Sequence, residues 1–428
     1  MTQPQSAANP VARILAASLI GTTIEFFDFY IYATAAVLVF PKLFFPAGDP
    51  VAATLASLAT FALAFFARPL GAALFGHFGD RKGRKATLVA ALMTMGPSTV
   101  AIGFLPSYNT IGIAAPILLA VFRFGQGLGL GGEWGGAVLL ATENAPPNKK
   151  AWYGMFPQLG APIGFLLSSA TFFILSKTLS DEQFLSYGWR IPFIASALLV
   201  WVGLYIRLKI TETPDFQKIV DNQERVKVPV VAVFTRHTKA VFLGTVATIT
   251  TFLLFYIMTV FTLNWGTTVL HYPKESFLIA QMISMLFFAL AIPLSAVLAD
   301  RKGTNYVLLL SSIGILVFGL FLAPFFSTGD LIITVLFQST GLFLMGLNYG
   351  AVGTALAEIF PAEVRYTGAS LCFTLAGILG ASLTPYLATT LATDYGLPYV
   401  GYYVSFGAVI SIVALLVARP LMNANRVR

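Results

Sequence analysis

Long apolar runs fill this chain almost from end to end, broken by short clusters of Gly, Pro and charged residues. A helix of roughly 20 apolar residues crosses a bilayer. Twelve such runs are predicted, near 14–38, 54–78, 86–105, 112–141, 152–176, 191–208, 240–265, 277–299, 305–326, 331–357, 367–390 and 399–418. They are much longer than the alternating segments of ~10 residues that build membrane barrels, so strands are excluded. The one sizeable hydrophilic stretch, rich in Lys, Glu, Asp and Gln, covers 210–239. The expectation is an all-α membrane protein of twelve transmembrane helices. A six-helix bundle spans 1–209, a cytoplasmic linker 210–239 and a second six-helix bundle 240–428. The first run is too long for a signal peptide's apolar region, lacks a cleavage pattern and carries Glu25 and Asp28, so it reads as a retained helix.

The two bundles are pseudo-symmetric. Gly76-His77-Phe78-Gly79-Asp80-Arg81-Lys82-Gly83-Arg84-Lys85 has a partner in Ala296-Val297-Leu298-Ala299-Asp300-Arg301-Lys302-Gly303-Thr304-Asn305, 220 residues later. A second set repeats at an offset of 215, as Gly131/Gly346, Gly135/Gly350, Glu143/Glu358, Pro146/Pro361 and Lys150/Arg365. Duplicated membrane halves are an architecture of secondary transporters.

Composition narrows the picture. Mean hydropathy is +0.81 and 10% of residues are charged, against roughly 25% in a soluble domain. A net charge of +8 raises the question of nucleic acid. With the N-terminus inside, however, twenty of the 26 Lys and Arg fall in cytoplasmic segments, Arg207 counted among them. That asymmetry places both termini in the cytoplasm and leaves no soluble basic domain for nucleic acid. Cys372 is the single cysteine, and His77, His237 and His271 are scattered away from mid-membrane. No disulfide, metal site, cofactor, His-based proton relay or enzyme centre is expected, and the chain is read as a monomer.

The basic loops have a mechanical reading. Gly76 and Gly79 let helix ends approach closely, and Gly83 permits a sharp turn. Asp80 is placed to accept hydrogen bonds at a neighbouring helix N-terminus, a favourable site for an anion. Arg84 is expected to pair with Glu143, with Arg81 beside it. The second copy keeps Asp300, Arg301 and Gly303 but has Thr304 and Asn305 for Arg and Lys. Its latch is expected to be weaker, helped by Glu358 and Arg365.

Five charges fall at mid-membrane depth, all in the first half: Glu25, Asp28, Arg68, Arg123 and Glu133. Each costs at least ~2.5–3.5 kcal/mol there, so each is a functional hypothesis. Helical counting separates Arg123 from Glu133 by roughly 15 Å. It lets Asp28 face Arg123, and Glu25 or Glu133 face Arg68. Three acids against two guanidiniums leave one surplus negative charge for a proton to neutralise. A substrate carboxylate that occupies an Arg would release a carboxyl to take H⁺.

The first loop resembles the signature of the major facilitator superfamily. Within it, Gly21-Thr22-Thr23-Ile24-Glu25-Phe26-Phe27-Asp28-Phe29-Tyr30, Ala67-Arg68-Pro69-Leu70-Gly71 and Arg123-Phe124-Gly125-Gln126-Gly127 are similar to the metabolite:H⁺ symporter family. So are Gly131-Gly132-Glu133-Trp134-Gly135-Gly136 and Tyr187-Gly188-Trp189-Arg190-Ile191-Pro192-Phe193. The resemblance implies import of small organic acids or zwitterions with protons across a bacterial inner membrane, by alternating access around a cavity lined by spans one, four, seven and ten. Candidate substrate ligands are then Arg68, Arg123, Gln158, Tyr256, Asn264, Asn348 and Tyr349. Gln281 and Trp265 also present polar atoms to the interior. Asp28, Glu25 and Glu133, in that order, are the proton-site candidates. A drug exporter of the same fold and a membrane sensor are the competing readings.

Overall fold

The computed structural model of the chain describes residues 11–46, 48, 50–209 and 229–426, without the side chains of 51, 84 and 422–426. Twelve apolar helices follow in order. They are α1 (Val11–Leu38), α2 (Pro50–Lys82), α3 (Arg84–Gly103), α4 (Ala114–Thr142), α5 (Lys150–Thr178) and α6 (Arg190–Leu208). The second set is α7 (Thr238–Thr268), α8 (Lys274–Lys302), α9 (Thr304–Leu320), α10 (Leu331–Ile359), α11 (Ala362–Asp394) and α12 (Leu397–Arg426). Eleven are long and apolar enough to cross a membrane. The remaining one, α9, is shorter and is continued by Leu322–Phe326. No strand occurs among the described residues.

The helices pack as two bundles. In the first, α1 lies on α5, and α4 lies against both α2 and α3; in the second, α8 lies on α10 and α12 against both α7 and α9. The bundles meet along α2 with α11 and α5 with α8. Of the expected linker, 210–228 lies outside the described residues. Pro229–Arg236 forms a short helix that packs on α2, α7 and α11. Pro157 and Pro162 sit inside an unbroken α5. In α11 the backbone instead widens into a π-type turn at Ile378–Ser382, just before Pro385. A similar turn, Ile257–Phe261, interrupts α7 directly after Tyr256; such insertions loosen the helical ladder where a helix has to bend.

The two basic turns use the same device. Gly83 and Gly303 adopt φ of 112° and 95°, which a side chain would oppose. Each turn's aspartate reaches into the opposite bundle. Asp80 Oδ2 accepts from the Thr367 backbone N–H at 3.2 Å and from its hydroxyl at 2.6 Å. Asp300 accepts from the Ala151 and Trp152 N–H groups at 2.9 and 3.0 Å. Those amides open α5, and Thr367 sits in the first turn of the Arg365–Gly377 segment of α11. Unsatisfied amides and the helix dipole both favour an anion there. The second latch makes these backbone bonds although Thr304 and Asn305 stand where the first turn has Arg and Lys. Thr304 instead donates to Glu358 at 2.8 Å.

Arg84's side chain lies outside the described residues, and so does its expected pairing with Glu143. Arg365 is the cation seen beside Glu143, with Nη1 3.9 Å from Oε1. Arg81 and Arg301 are exposed. Deeper in, the Tyr366 hydroxyl donates to the Gly132 carbonyl, and the Trp134 indole stacks on Phe373 with centroids 3.6 Å apart. Both contacts join the bundles, so the molecule is closed on the side of the two basic turns.

Removing both latch charges with Asp80→Asn and Asp300→Asn weakens hydrogen bonds worth about 1.5–3 kcal/mol each when charged. We expect the closed state to lose roughly ten- to a hundredfold in population. Spin labels at Lys82→Cys and Lys302→Cys, in a Cys372→Ser background, should report longer and broader distances. An unchanged distance distribution contradicts the latch.

Candidate functional site

A cavity lies at the centre of the molecule, between the bundles. It is lined by α1, α2, α4 and α5 from the first and by α7, α8, α10 and α11 from the second. Its charged groups are Glu25 and Arg68, and the wall is mostly aromatic, with Tyr30, Trp134, Phe255, Tyr256 and Tyr349 prominent. Its free space is about 20 Å³, room for about one water. This conformation is closed around the site.

The height of Arg68 is set by how closely α2 and α4 approach. A Cβ on Gly131 would lie 2.0 Å from the Arg68 carbonyl oxygen, and one on Gly127 2.3 Å from that of Ala64. Only glycine at both positions lets the backbones touch, so these glycines serve packing. The Arg68 guanidinium rests on rings, 4.5 Å from the Phe29 centroid and 4.6 Å from that of Phe65. Among the described residues it is in no ion pair, and its Nε has no hydrogen-bond partner. Glu25 Oε2 is likewise buried without a partner. The site thus presents a cation and a carboxyl that do not neutralise each other by contact.

Arg123 is placed differently from the sequence expectation. It is fully buried, and its guanidinium packs 4.0, 4.4 and 5.0 Å from the Tyr32, Phe29 and Phe61 centroids. Nη1 donates to Gln126 at 2.8 Å, while Nε and Nη2 are unsatisfied. It does not line the cavity, so the structure gives no support to Arg123 as a substrate anchor. Nor does it pair with Asp28. Gln126 links the two indirectly, donating to Thr99 at 2.7 Å and to the Asp28 carbonyl at 3.4 Å. The Asp28 carboxylate takes a 2.5 Å bond from Ser196, and its other oxygen has no partner.

Glu133 does not face Arg68. It pairs with Arg207, which also donates to the Leu88 carbonyl at 2.8 Å. Arg207, which the charge pattern assigns to a cytoplasmic segment, is 4% exposed. Three acids are therefore matched by three guanidiniums, and the expected surplus negative charge disappears. Span six was placed correctly to within a residue. What the sequence did not signal is that its last turn tucks under α3 and α4.

The candidate amides mostly join helices. Gln158 accepts from Trp134 at 2.9 Å and donates across the bundles to the Tyr349 carbonyl at 2.8 Å. Asn348 accepts from Thr251 at 2.5 Å and donates to Ser311 and Ser312. Asn264 reaches Thr389 at 3.4 Å, and Gln281 donates to the Thr259 carbonyl at 2.6 Å. None of these four lines the cavity, whereas Tyr256 and Tyr349 do. The Tyr349 hydroxyl has no partner.

Comparison with known proteins supplies the wider context. The sequence model of the family described as "Sugar (and other) transporter" matches residues 14–230. The inner membrane metabolite transport protein YhjE of Escherichia coli (strain K12) is 54% identical, over 97% of this chain and 95% of the relative. The shikimate transporter of the same organism is 38% identical, over 99% and 98%. Among solved structures, the proton:xylose symporter XylE bound to 6-bromo-6-deoxy-D-glucose superposes with a TM-score of 0.78. That match covers 96% of this chain and 95% of the other, at 15% identity, and speaks for the fold alone.

Breaking one side of a buried ion pair costs about 3–5 kcal/mol. We expect Arg207→Met to destabilise the detergent-purified protein by that order in denaturant unfolding. Adding Glu133→Gln should recover most of the loss. Equal stability of the single and double variants contradicts a buried pair.

Proposed function

We propose that this chain, which belongs to the sugar (and other) transporter family of the major facilitator superfamily, imports a small carboxylate-bearing or zwitterionic metabolite together with protons. It is a multi-pass membrane transporter of metabolites rather than an enzyme. The finer reading rests on one observation: Arg68 lines the central cavity without an ion-pair partner. A guanidinium offers a planar fork of donors that matches a carboxylate. Glu25, on the facing helix, suits the ammonium of a zwitterion, and the aromatic wall suits an apolar body or a cation. Arg123, sealed among rings, is left to position Gln126 and the Asp28 turn.

Asp28 is our first proton site. It is buried with a hydroxyl donor on one oxygen, nothing on the other and, among the described residues, no ion pair. A proton is the neutralising charge available to it. Ser196 on α6 ties its state to a helix that packs on both α1 and α3. Occupation of Arg68 by a substrate anion withdraws a positive charge from the neighbourhood of Glu25 and favours proton uptake by the cluster. Reopening then proceeds by release of Asp80 and Asp300 from the opposite bundle. The positive-inside pattern supports cytoplasmic termini and hence a cytoplasmic face at the latches.

A proton-driven exporter of lipophiles is the second reading, favoured by the number of rings around the cavity. The free guanidinium weighs against it, since an apolar or cationic cargo has no use for one.

The test is uptake by proteoliposomes under an imposed pH gradient, with shikimate and a panel of small carboxylates and betaines. Acid outside should drive accumulation. Arg68→Ala should lower uptake by roughly 30-fold or more, the loss of a charge-assisted pair. Arg68→Lys should recover only part. Asp28→Asn should abolish the response to the gradient while counterflow exchange continues. Uptake indifferent to the gradient in the native protein contradicts symport, and full uptake by Arg68→Ala contradicts the anchor.

A further inference from the structure

Arg207 has a neighbour besides Glu133. The guanidinium nitrogen that holds Glu133 faces α1 at Gly21, where an added Cβ would lie 2.7 Å from it. Gly21 is one helical turn before Glu25, on the same face of α1. Helical side chains lean toward the N-terminus, so the Glu25 carboxyl leans over the turn that Arg207 occupies. Glu25 Oε2 and Glu133 Oε2 are both buried and both unsatisfied. The groups that bear on the charge of Glu25 are Glu133 from α4, Arg68 from α2 and Arg207 from α6, with the Tyr30 and Tyr349 hydroxyls near. A side chain at Gly21 would collide with the Arg207 guanidinium.

We infer that Arg207 is a shared cation that exchanges partners between Glu133 and Glu25, making Glu133 an inner proton site below the cavity. The exchange balances. A proton leaves Glu25 and binds Glu133 at Oε2, while Arg207, keeping its own protons, crosses from Glu133 to Glu25. One O–H bond breaks and one forms, and the net charge of the group is unchanged. A proton arriving at the cavity is thereby handed one step toward the cytoplasm without a charge being left alone in hydrocarbon. Arg68 stays free for a substrate anion, because Glu25 takes its compensation from below. Arg207 acts here as a positioning residue. Its use in transport rests on the proton-symport reading, but the exchange itself does not.

The test therefore needs no substrate. The infrared carbonyl band of Glu25, identified by its loss in Glu25→Gln, is titrated with pH in the purified full-length protein. Partner exchange predicts that Glu133→Gln, which frees Arg207 for Glu25, moves the midpoint of that band toward acid by about one pH unit or more. Glu133→Gln with Arg207→Met should return it to within a few tenths of a unit of the native value. Gly21→Ala, which crowds the guanidinium, should blunt the Glu133→Gln shift in a protein that still folds. Absence of a Glu25 band, or a midpoint indifferent to Glu133→Gln, overturns the exchange and leaves symport standing. Loss of gradient-driven uptake in the native protein, with the midpoint shift intact, overturns symport and leaves the exchange.

Discussion

Every charge inside this molecule must be compensated within hydrocarbon, and the rest of the architecture follows from how that is done. A lone ion at mid-bilayer costs at least ~2.5–3.5 kcal/mol. Besides Asp80 at the latch, six charged groups are buried in the first bundle, three acids and three arginines, so their charges balance in number. They are compensated unequally. Glu133 and Arg207 hold each other with Glu133 Oε2 left over, Arg123 is boxed by rings and an amide with two nitrogens unsatisfied, and Arg68, Glu25 and Asp28 keep unused donors or acceptors and, among the described residues, no ion pair. Unused polar capacity in a buried position is a liability in a static protein. In a transporter it is capacity that a cargo can use, and the proposed function assigns it to cargo and proton.

The duplicated scaffold frames this cluster with a matched pair of contacts. Each aspartate latch ties a turn of one bundle to the first turn of a helix in the other, with the cavity between the bundles. The Trp134–Phe373 stack in the cavity wall and the Gln158 bridge beside it join the same bundles. Parting the bundles on this side has to break all of these contacts together. The second bundle contributes wall and hinge, with its wide turn at Ile257–Phe261 adjoining Tyr256.

Much of this was legible from the chain alone, for identifiable reasons. The helices could be read because twenty-residue apolar runs have no other stable form in a bilayer. The latches could be read because Asp80 and Asp300 recur at one place in a duplication, and recurrence separates a mechanical role from mere topology. Depth along a helix was legible; azimuth was not. Arg123 has the right depth to meet Asp28 but points into an aromatic box. Gln158 and Asn348 do face inward, yet what they meet is another helix, since an interior amide bonds equally well to backbone or ligand. Arg207 was missed because counting charges by segment assigns sides of the membrane and carries no information on burial within the last turn.

The central claim is that Arg68 keeps its guanidinium for an anion brought in from outside. The most direct check is ligand-induced thermal stabilisation of the purified protein by a panel of organic acids, each paired with its methyl ester. The account predicts that at least one free acid raises the melting temperature of the native chain, that its ester does not, and that Arg68→Gln erases the difference. Equal stabilisation by acid and ester, or a response that survives Arg68→Gln, would contradict it.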